Sequence, residues 1–389
     1  MTHFETGATC IESEDCNEIR ERLILLRESV NRFASHDAHL KRARLLRGTK
    51  PGYDKKVWLE MAELGWLGTL LPERLGGTGL TCAEMAVISE ALGRSLFSEP
   101  LVSAAVLAGG AILYGDNESL KEELLPALAK GEMVPALAWR EQDHNYELLR
   151  IETRAEDTPN GVKLYGIKRF IVGGLSADGF VVSARIHGGI GLYWVPSEAI
   201  ATGLSFVELA DGRPAAELTL SGLDVPKNHQ IAGPGAAEVA LVRSYDEALI
   251  ITAAELLGVL TKAFEITLDY LQTRMQFGKL IGSFQALQHR AVDLYIEQRI
   301  CRHTLDQVIT AITTPGLRPE ARSALASRIK ARCSDAALRI TREAIQMHGA
   351  MGFSDECDIG LFLKRAITLA GWLGGTEVHR RRFALLTPY

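Results

Sequence analysis

The last third of the chain constrains its fold most, because three apolar-periodic stretches there, at about 246–274, 284–312 and 318–348, each run to roughly 30 residues. Helices of that length joined by short connections can bury their apolar stripes only against one another, so a helical bundle is expected. Pro315, Gly316 and Pro319 break the second stretch from the third, and the glycines at 349–352 end the third.

The first third also reads as helix. Glu18 to Phe33 sets Ile19, Leu23, Leu26, Val30 and Phe33 at three- and four-residue steps; helical stretches follow at Lys55–Leu67, Ala83–Phe97, Pro100–Tyr114 and Glu118–Ala129. Near Gly131 the pattern changes. Segments 150–156, 162–165, 179–186, 191–195, 204–209 and 216–220 are short and rich in β-formers, with turns at Thr158-Pro-Asn-Gly161, His187-Gly-Gly and Asp211-Gly-Arg-Pro214 between them. Such spacing without long intervening helices predicts an antiparallel barrel or sandwich. The expected class is therefore α+β. It has an α-helical N-terminal domain over 1–130, a middle β domain over 131–232 and a C-terminal four-helix bundle over 233–389.

Composition narrows the partners. A net charge of -5 on 389 residues gives no basic surface for a polyanion, so nucleic acid is not expected. The longest uncharged run, Pro100 to Gly115, is short of the ~20 residues that span a bilayer, and no secretory leader is visible. Six scattered cysteines with no CxxC pair suit a reduced, cytoplasmic protein. His36 and His39 could share a helix face, but no third or fourth ligand lies near them, so no metal is expected. No Walker loop appears, and no GxGxxG follows a strand.

Four motifs, in order along the chain, resemble those of the acyl-CoA dehydrogenase family. Pro72-Glu-Arg-Leu-Gly-Gly-Thr-Gly79 is similar to its PExxGGxG loop, and Gly166-Ile-Lys168-Arg-Phe-Ile-Val172 with Ala177-Asp178 to its GxKxxIT…AD strand pair. Arg274-Met-Gln-Phe277-Gly278 with Phe284-Gln285 resembles its RxxFG…fQ segment, and Gln346-Met-His-Gly349-Ala350-Met-Gly352 its QxxGGxG turn. The resemblance implies FAD as cofactor and α,β-dehydrogenation of an acyl-CoA thioester. In that chemistry a carboxylate takes the α-proton, and the flavin carries the redox step. It also implies that Arg274, Phe277, Gln285, Gln346 and Gly349 touch the ADP half of a neighbour's FAD, and that Thr376 lies by the flavin. Phe277 could equally be core packing.

Against the family pattern, the usual catalytic Glu of an EGT triplet is replaced, since Gly374-Gly375-Thr376 stands there. Val172 takes the place of the threonine that touches flavin N5, and Trp139-Arg-Glu-Gln-Asp-His-Asn-Tyr146 replaces a glycine-containing flavin loop. Ala350 replaces a second glycine. A second branch of the family carries its base at the start of the bundle. That position falls on Ala248, with Glu247 one residue, or ~100° of helix, away. Ser244-Tyr-Asp-Glu247 also fits a capping box, so Glu247 reads first as a helix cap and second as a catalytic base. Glu255 reads as a structural polar residue in the bundle.

The groups that steady a neighbour's cofactor persist while those that seat the chain's own flavin are lost. The expectation is a subunit of a heteromeric acyl-CoA dehydrogenase, in a tetramer with a second dehydrogenase-like subunit, resembling the small subunits of pimeloyl-CoA and steroid side-chain enzymes. Its substrate would be a bulky, sterol-derived or dicarboxylyl acyl-CoA, and its acceptor an electron-transfer flavoprotein or similar carrier. Two alternatives stay open: a homo-oligomeric dehydrogenase using Glu247 as base, and a non-catalytic partner of the same fold.

Overall fold

The computed structural model describes residues 14–34, 39–142, 146–200 and 203–387. Helices come first: α1 (Glu14–Ala34), α2 (His39–Leu46), α3 (Lys55–Glu63), α4 (Cys82–Arg94), α5 (Gly109–Leu113) and α6 (Glu118–Ala129), with a π-helical stretch, Leu101–Ala108, leading into α5. A true capping box starts α4. The Thr81 hydroxyl oxygen accepts from the Ala83 N–H at 3.2 Å, and the Glu84 carboxylate accepts from the Thr81 N–H at 2.9 Å.

Eight strands follow: β1 (Pro135–Ala138), β2 (Arg154–Thr158), β3 (Gly161–Val172), β4 (Gly179–Ile186), β5 (Gly189–Pro196), β6 (Leu204–Glu208), β7 (Pro214–Pro226) and β8 (Gln230–Ala232). They form one sheet in the order β6-β7-β3-β2-β4-β5-β8, with β1 also on β4. This corrects the expected antiparallel barrel or sandwich. The β1–β4 and β2–β4 pairs are parallel, so the sheet is mixed, and its path ends on β6 and β8 without closing. Alternation of apolar residues detects a strand but carries no information on the direction of its partner.

The bundle comprises α7 (Ala236–Thr273), the hairpin β9 (Met275–Gln276) and β10 (Lys279–Leu280), then α8 (Gln285–Thr313), α9 (Pro319–His348), α10 (Ile359–Gly371) and α11 (Thr376–Leu386). Helices α7, α8, α9 and α10 pack on one another, and α11 lies along α9. Helix α7 begins ten residues earlier than its periodicity suggests, after Gly233-Pro234-Gly235, where the Glu238 carboxylate accepts from the Gly235 N–H at 2.6 Å. Ser244 and Glu247 therefore sit inside the helix. The capping-box reading of Glu247 is wrong, because the real cap lies upstream. No helix among the described residues is long and apolar enough to cross a membrane.

One large apolar core runs through both helical regions, and a smaller one fills the sheet. A buried ionic junction ties all three regions together. Arg365 of α10 pairs with Asp211 of the β6–β7 turn at 2.8 Å and with Glu255 of α7 at 3.0 Å, and it donates to the Phe97 carbonyl at 2.7 Å. Arg213 and Arg365 hold the Asp211 carboxyl below its ordinary range despite its burial. Glu255 is thus a structural ion-pair partner, as its place in the bundle implied.

Candidate functional site

The motif residues fall into two groups that the fold treats in opposite ways. The first gathers at one end of the bundle. Phe277 and Gly278 form the two-residue turn between β9 and β10, both at positive φ (52° and 76°), the geometry of a type I′ hairpin. A phenylalanine in that left-handed region is strained by about 1 kcal/mol, and its ring is 90% exposed. The core-packing reading of Phe277 is therefore overturned. Arg274, at the end of α7, is exposed and has no ion pair among the described residues; its carbonyl accepts from the Ile281 N–H at 2.9 Å, closing the hairpin. Gln285 opens α8 with an exposed side chain.

The QxxG turn reaches the same place. Gln346 lies exposed in the last turn of α9, and Gly349 ends that helix at φ +63°, where an added Cβ would meet nothing within 4 Å. The hairpin and the turn are joined by Tyr270, whose ring stacks on His348 with centroids 4.3 Å apart. An open guanidinium, two free carboxamides and an unobstructed backbone form a set that can grip a diphosphate. Phe353, 82% exposed on the turn after Gly349, carries no sequence signal of its own. Only its place one residue after the final motif glycine pointed to it.

The second group lines the junction of sheet and bundle, and here the space is filled. Trp139, just after β1, packs edge-to-face on Tyr245 of α7 with centroids 5.6 Å apart. The Arg140 guanidinium lies 4.2 Å from the Tyr146 ring and 4.4 Å from that of Phe170, itself at φ +53°. Two aromatic faces that could flank a planar ligand already hold a cation. Val172, at the end of β3, borders a cavity of only about 30 Å³ whose other walls include Glu99, Arg213, Glu255 and Trp372.

The Gly374-Gly375-Thr376 segment is held from several sides. The Leu373 carbonyl accepts from the Tyr245 hydroxyl and, at 2.9 Å, from His379 Nε2, which fixes Leu373 at a strained φ of +60°. Burial beside Lys330 and Arg382 holds the His379 pKa down to about 3, so the ring is neutral. Gly374 has φ +101°, and a Cβ there would sit 3.1 Å from the His379 ring. The Thr376 hydroxyl donates to Asp335 at 2.7 Å. Beneath the segment, Lys330 is wholly buried and its Nζ lies 3.2 Å from each of Ser334 Oγ, Ala370 O and Gly374 O.

With no carboxylate among those acceptors, burial brings the Lys330 pKa down to about 7. Below that pH the ammonium is charged folded and unfolded, and its full burial cost is felt. Between it and the ordinary lysine value, the unfolded chain binds the extra proton. Denaturant stability should therefore climb from about pH 7 to pH 10 at up to ~1.4 kcal/mol per unit, and Lys330→Met should flatten that slope. Parallel profiles for the two proteins would refute it.

Glu247 lies elsewhere. It is two residues, about 200° of helix, from Tyr245, and so is turned away from Leu373 and the glycine segment. Tyr114, just after α5, donates to its two oxygens at 2.8 and 3.0 Å, Arg243 approaches at 3.5 Å, and burial raises its pKa. Ala248, at the alternative base position, is fully buried. His36 lies outside the described residues, and among the described residues no three or more metal-ligating side chains come together.

Comparison with known proteins agrees with this architecture. The acyl-CoA dehydrogenase N-terminal domain matches residues 20–132 and the acyl-CoA dehydrogenase C-terminal domain matches residues 243–385, together well over half of the chain. The acyl-CoA dehydrogenase IpdE2 of Mycolicibacterium smegmatis is 27% identical over 364 residues, covering 92% of this chain and 96% of that protein. A solved Tcur3481-Tcur3483 steroid acyl-CoA dehydrogenase variant superposes with a TM-score of 0.84 at 28% identity, covering 95% of this chain and 98% of that one. The ChsE4-ChsE5 complex from Mycobacterium tuberculosis shares the fold, with a TM-score of 0.83 at 22% identity over 97% and 99% of the two chains. Two domain matches in the right order, on a helical–sheet–bundle fold carrying the four motifs, lead to one conclusion: the chain belongs to the acyl-CoA dehydrogenase family, flavin-dependent oxidoreductases acting on CH–CH bonds.

Proposed function

We propose that this chain is one subunit of a heteromeric acyl-CoA dehydrogenase and completes a FAD site whose flavin ring rests on a different subunit. The observation that carries this is the asymmetry just described. Arg274, Gln285, Gln346 and Gly349 stand open around one hairpin and one turn, whereas Arg140, Trp139 and Tyr245 occupy the junction by Val172. FAD, when bound, supplies the acceptor for the β-hydride. The part of this chain would be to hold the diphosphate through Arg274, with Gln285 and Gln346 donating amide hydrogens and Gly349 allowing close backbone approach.

The base that takes the α-proton is assigned to the partner, since this chain offers glycine at 374 and alanine at 248, and Glu247 turns toward Tyr114. The exposed apolar residues Val292, Tyr295, Ile296 and Ile300 on α8 suit burial against another bundle in a tetramer. A sterol-derived or dicarboxylyl acyl-CoA is the proposed substrate class, supported by the similarity to a steroid dehydrogenase, with an electron-transfer flavoprotein or similar carrier as acceptor.

The test is flavin content. The chain purified alone should carry little FAD, and co-expression with its partner dehydrogenase subunit should give a yellow complex containing both chains. Full flavin occupancy with turnover by the lone chain would end the proposal.

A further inference from the structure

A cavity of about 190 Å³ opens at one end of the sheet's own core, where the β2–β3 turn meets the ends of β4 and β7, and the proposed function has no use for it. That is below the ~300–1,000 Å³ of drug-sized sites and above the ~150 Å³ that holds a benzene ring, so it suits a body of about eight non-hydrogen atoms. Side chains alternate between faces along a strand. On β4 and β5, Val181, Leu192 and Trp194 belong to the core shared with the helices, whereas Val182, Ala184 and Tyr193 belong to the sheet's own. Tyr193 lines the cavity, which therefore lies on the face of these strands turned away from the bundle.

One buried polar atom there is unsatisfied. Tyr193 is 1% exposed, and its hydroxyl has no hydrogen-bond partner among the described residues. The phenol lies back along β5 over Gly191, where a Cβ would stand 2.5 Å from the hydroxyl, so a glycine at that position is what leaves it room. Burial and the Asp157 carboxylate push its pKa up to about 12, and it keeps a proton to donate. A buried donor of this kind favours a ligand that brings an acceptor.

The rim adds one charge of each sign. Asp157 lines the cavity from the same face of β2 as Ala155, which packs on the sheet's core. Lys227 follows β7, and its backbone N–H donates to the Asn160 carbonyl at 3.0 Å, holding the β2–β3 turn in place. Gly161 permits that approach, since a Cβ there would meet the Val225 carbonyl oxygen at 2.0 Å. Neither Asp157 nor Lys227 has an ion pair among the described residues, whereas the neighbouring Arg154 pairs with Glu156 at 3.1 Å and Lys163 with Asp224 at 3.9 Å. Val162, Val225 and Ile186 give the cavity its apolar walls, and Thr158 and Gln230 complete its polar edge.

We propose that this cavity binds a small zwitterion, with its carboxylate on the Tyr193 hydroxyl and Lys227, its ammonium on Asp157, and a short aliphatic body on Val162, Val225 and Ile186. That is the chemistry of a free aliphatic α-amino acid. A simple anion would leave the Asp157 charge unanswered, and a simple cation would repel Lys227 and give the hydroxyl no acceptor. The site does not depend on the proposed function, because flavin content and amino-acid binding are separate readouts.

The test uses the full chain and L-valine, which is of the right size, titrated by saturation-transfer NMR. One saturable site is expected. Tyr193→Phe should weaken it about tenfold or more without loss of thermal stability, since the variant removes an unpaired buried hydroxyl and keeps the ring. Asp157→Asn should weaken it about two- to fivefold, while Glu156→Gln, on the opposite face of the same strand, should leave it unchanged. Two analogues give a reading independent of any variant: isobutylamine, which lacks the carboxylate, and 3-methylbutanoate, which lacks the ammonium, should each bind at least about tenfold more weakly than valine. No saturable binding of valine, an unaltered affinity in Tyr193→Phe, equal losses in Asp157→Asn and Glu156→Gln, or an analogue that binds as tightly as valine would overturn the proposal.

Discussion

Arg365→Met is expected to cost the folded chain about 3–5 kcal/mol, the usual penalty for stripping one partner from a buried ion pair. The side chain is 4% exposed and touches all three structural regions: Asp211 at 2.8 Å, Glu255 at 3.0 Å and the Phe97 carbonyl at 2.7 Å. Methionine replaces its volume but none of its charge. Asp211 would keep Arg213 at 2.7 Å, while Glu255 would lose its ion pair and the Phe97 carbonyl its donor. Against a total stability of about 5–15 kcal/mol, that is enough to unfold a marginal chain. Urea unfolding checks it, and a loss below about 1 kcal/mol would mean that solvent already screens the junction.

The second large effect is expected in the assembled enzyme. If Arg274 grips a diphosphate held mainly by the partner, Arg274→Ala removes charge-assisted hydrogen bonds worth about 1.5–3 kcal/mol, a 10- to 150-fold loss of FAD affinity. Flavin release measured by fluorescence should show it, and saturating FAD should restore turnover. Arg274→Lys should recover only part of the loss, since an ammonium does not match the guanidinium fork. Unchanged affinity would remove this chain from the cofactor site and leave the non-catalytic scaffold as the better reading.

Much of the fold was legible because long periodic stretches are hard to mistake. Helix α6 and strand β4 match their sequence boundaries, and α8 and α9 are each within a residue of theirs. The misses have identifiable causes. Ser244 and Glu247 imitate a cap inside a helix that starts at Ala236, where Gly-Pro-Gly is the true start signal. Strand β1, Pro-Ala-Leu-Ala, is four buried apolar residues with no alternation, so neither its existence nor its parallel pairing could be read. Helices α10 and α11 are short, and no long apolar period in the sequence marks them.

The candidate site was legible through its motifs, which flagged Arg274, Gln346 and Gly349, but what fills the other junction was not. That Arg140 lies between Tyr146 and Phe170, or that Lys330 lies beneath Gly374, depends on contacts between residues far apart in sequence.

The left-handed backbone at Gly374 also bears on how reversible this chain's history is. A single base change converts many glycine codons to glutamate, so on paper the missing carboxylate is one step away. At φ +101°, with the His379 ring 3.1 Å from any Cβ, that step gives a strained residue in a tight place, where the ring must give by a few tenths of an ångström. A glutamate at 374 would therefore be accommodated only together with a shift of the His379 ring and of the backbone it borders.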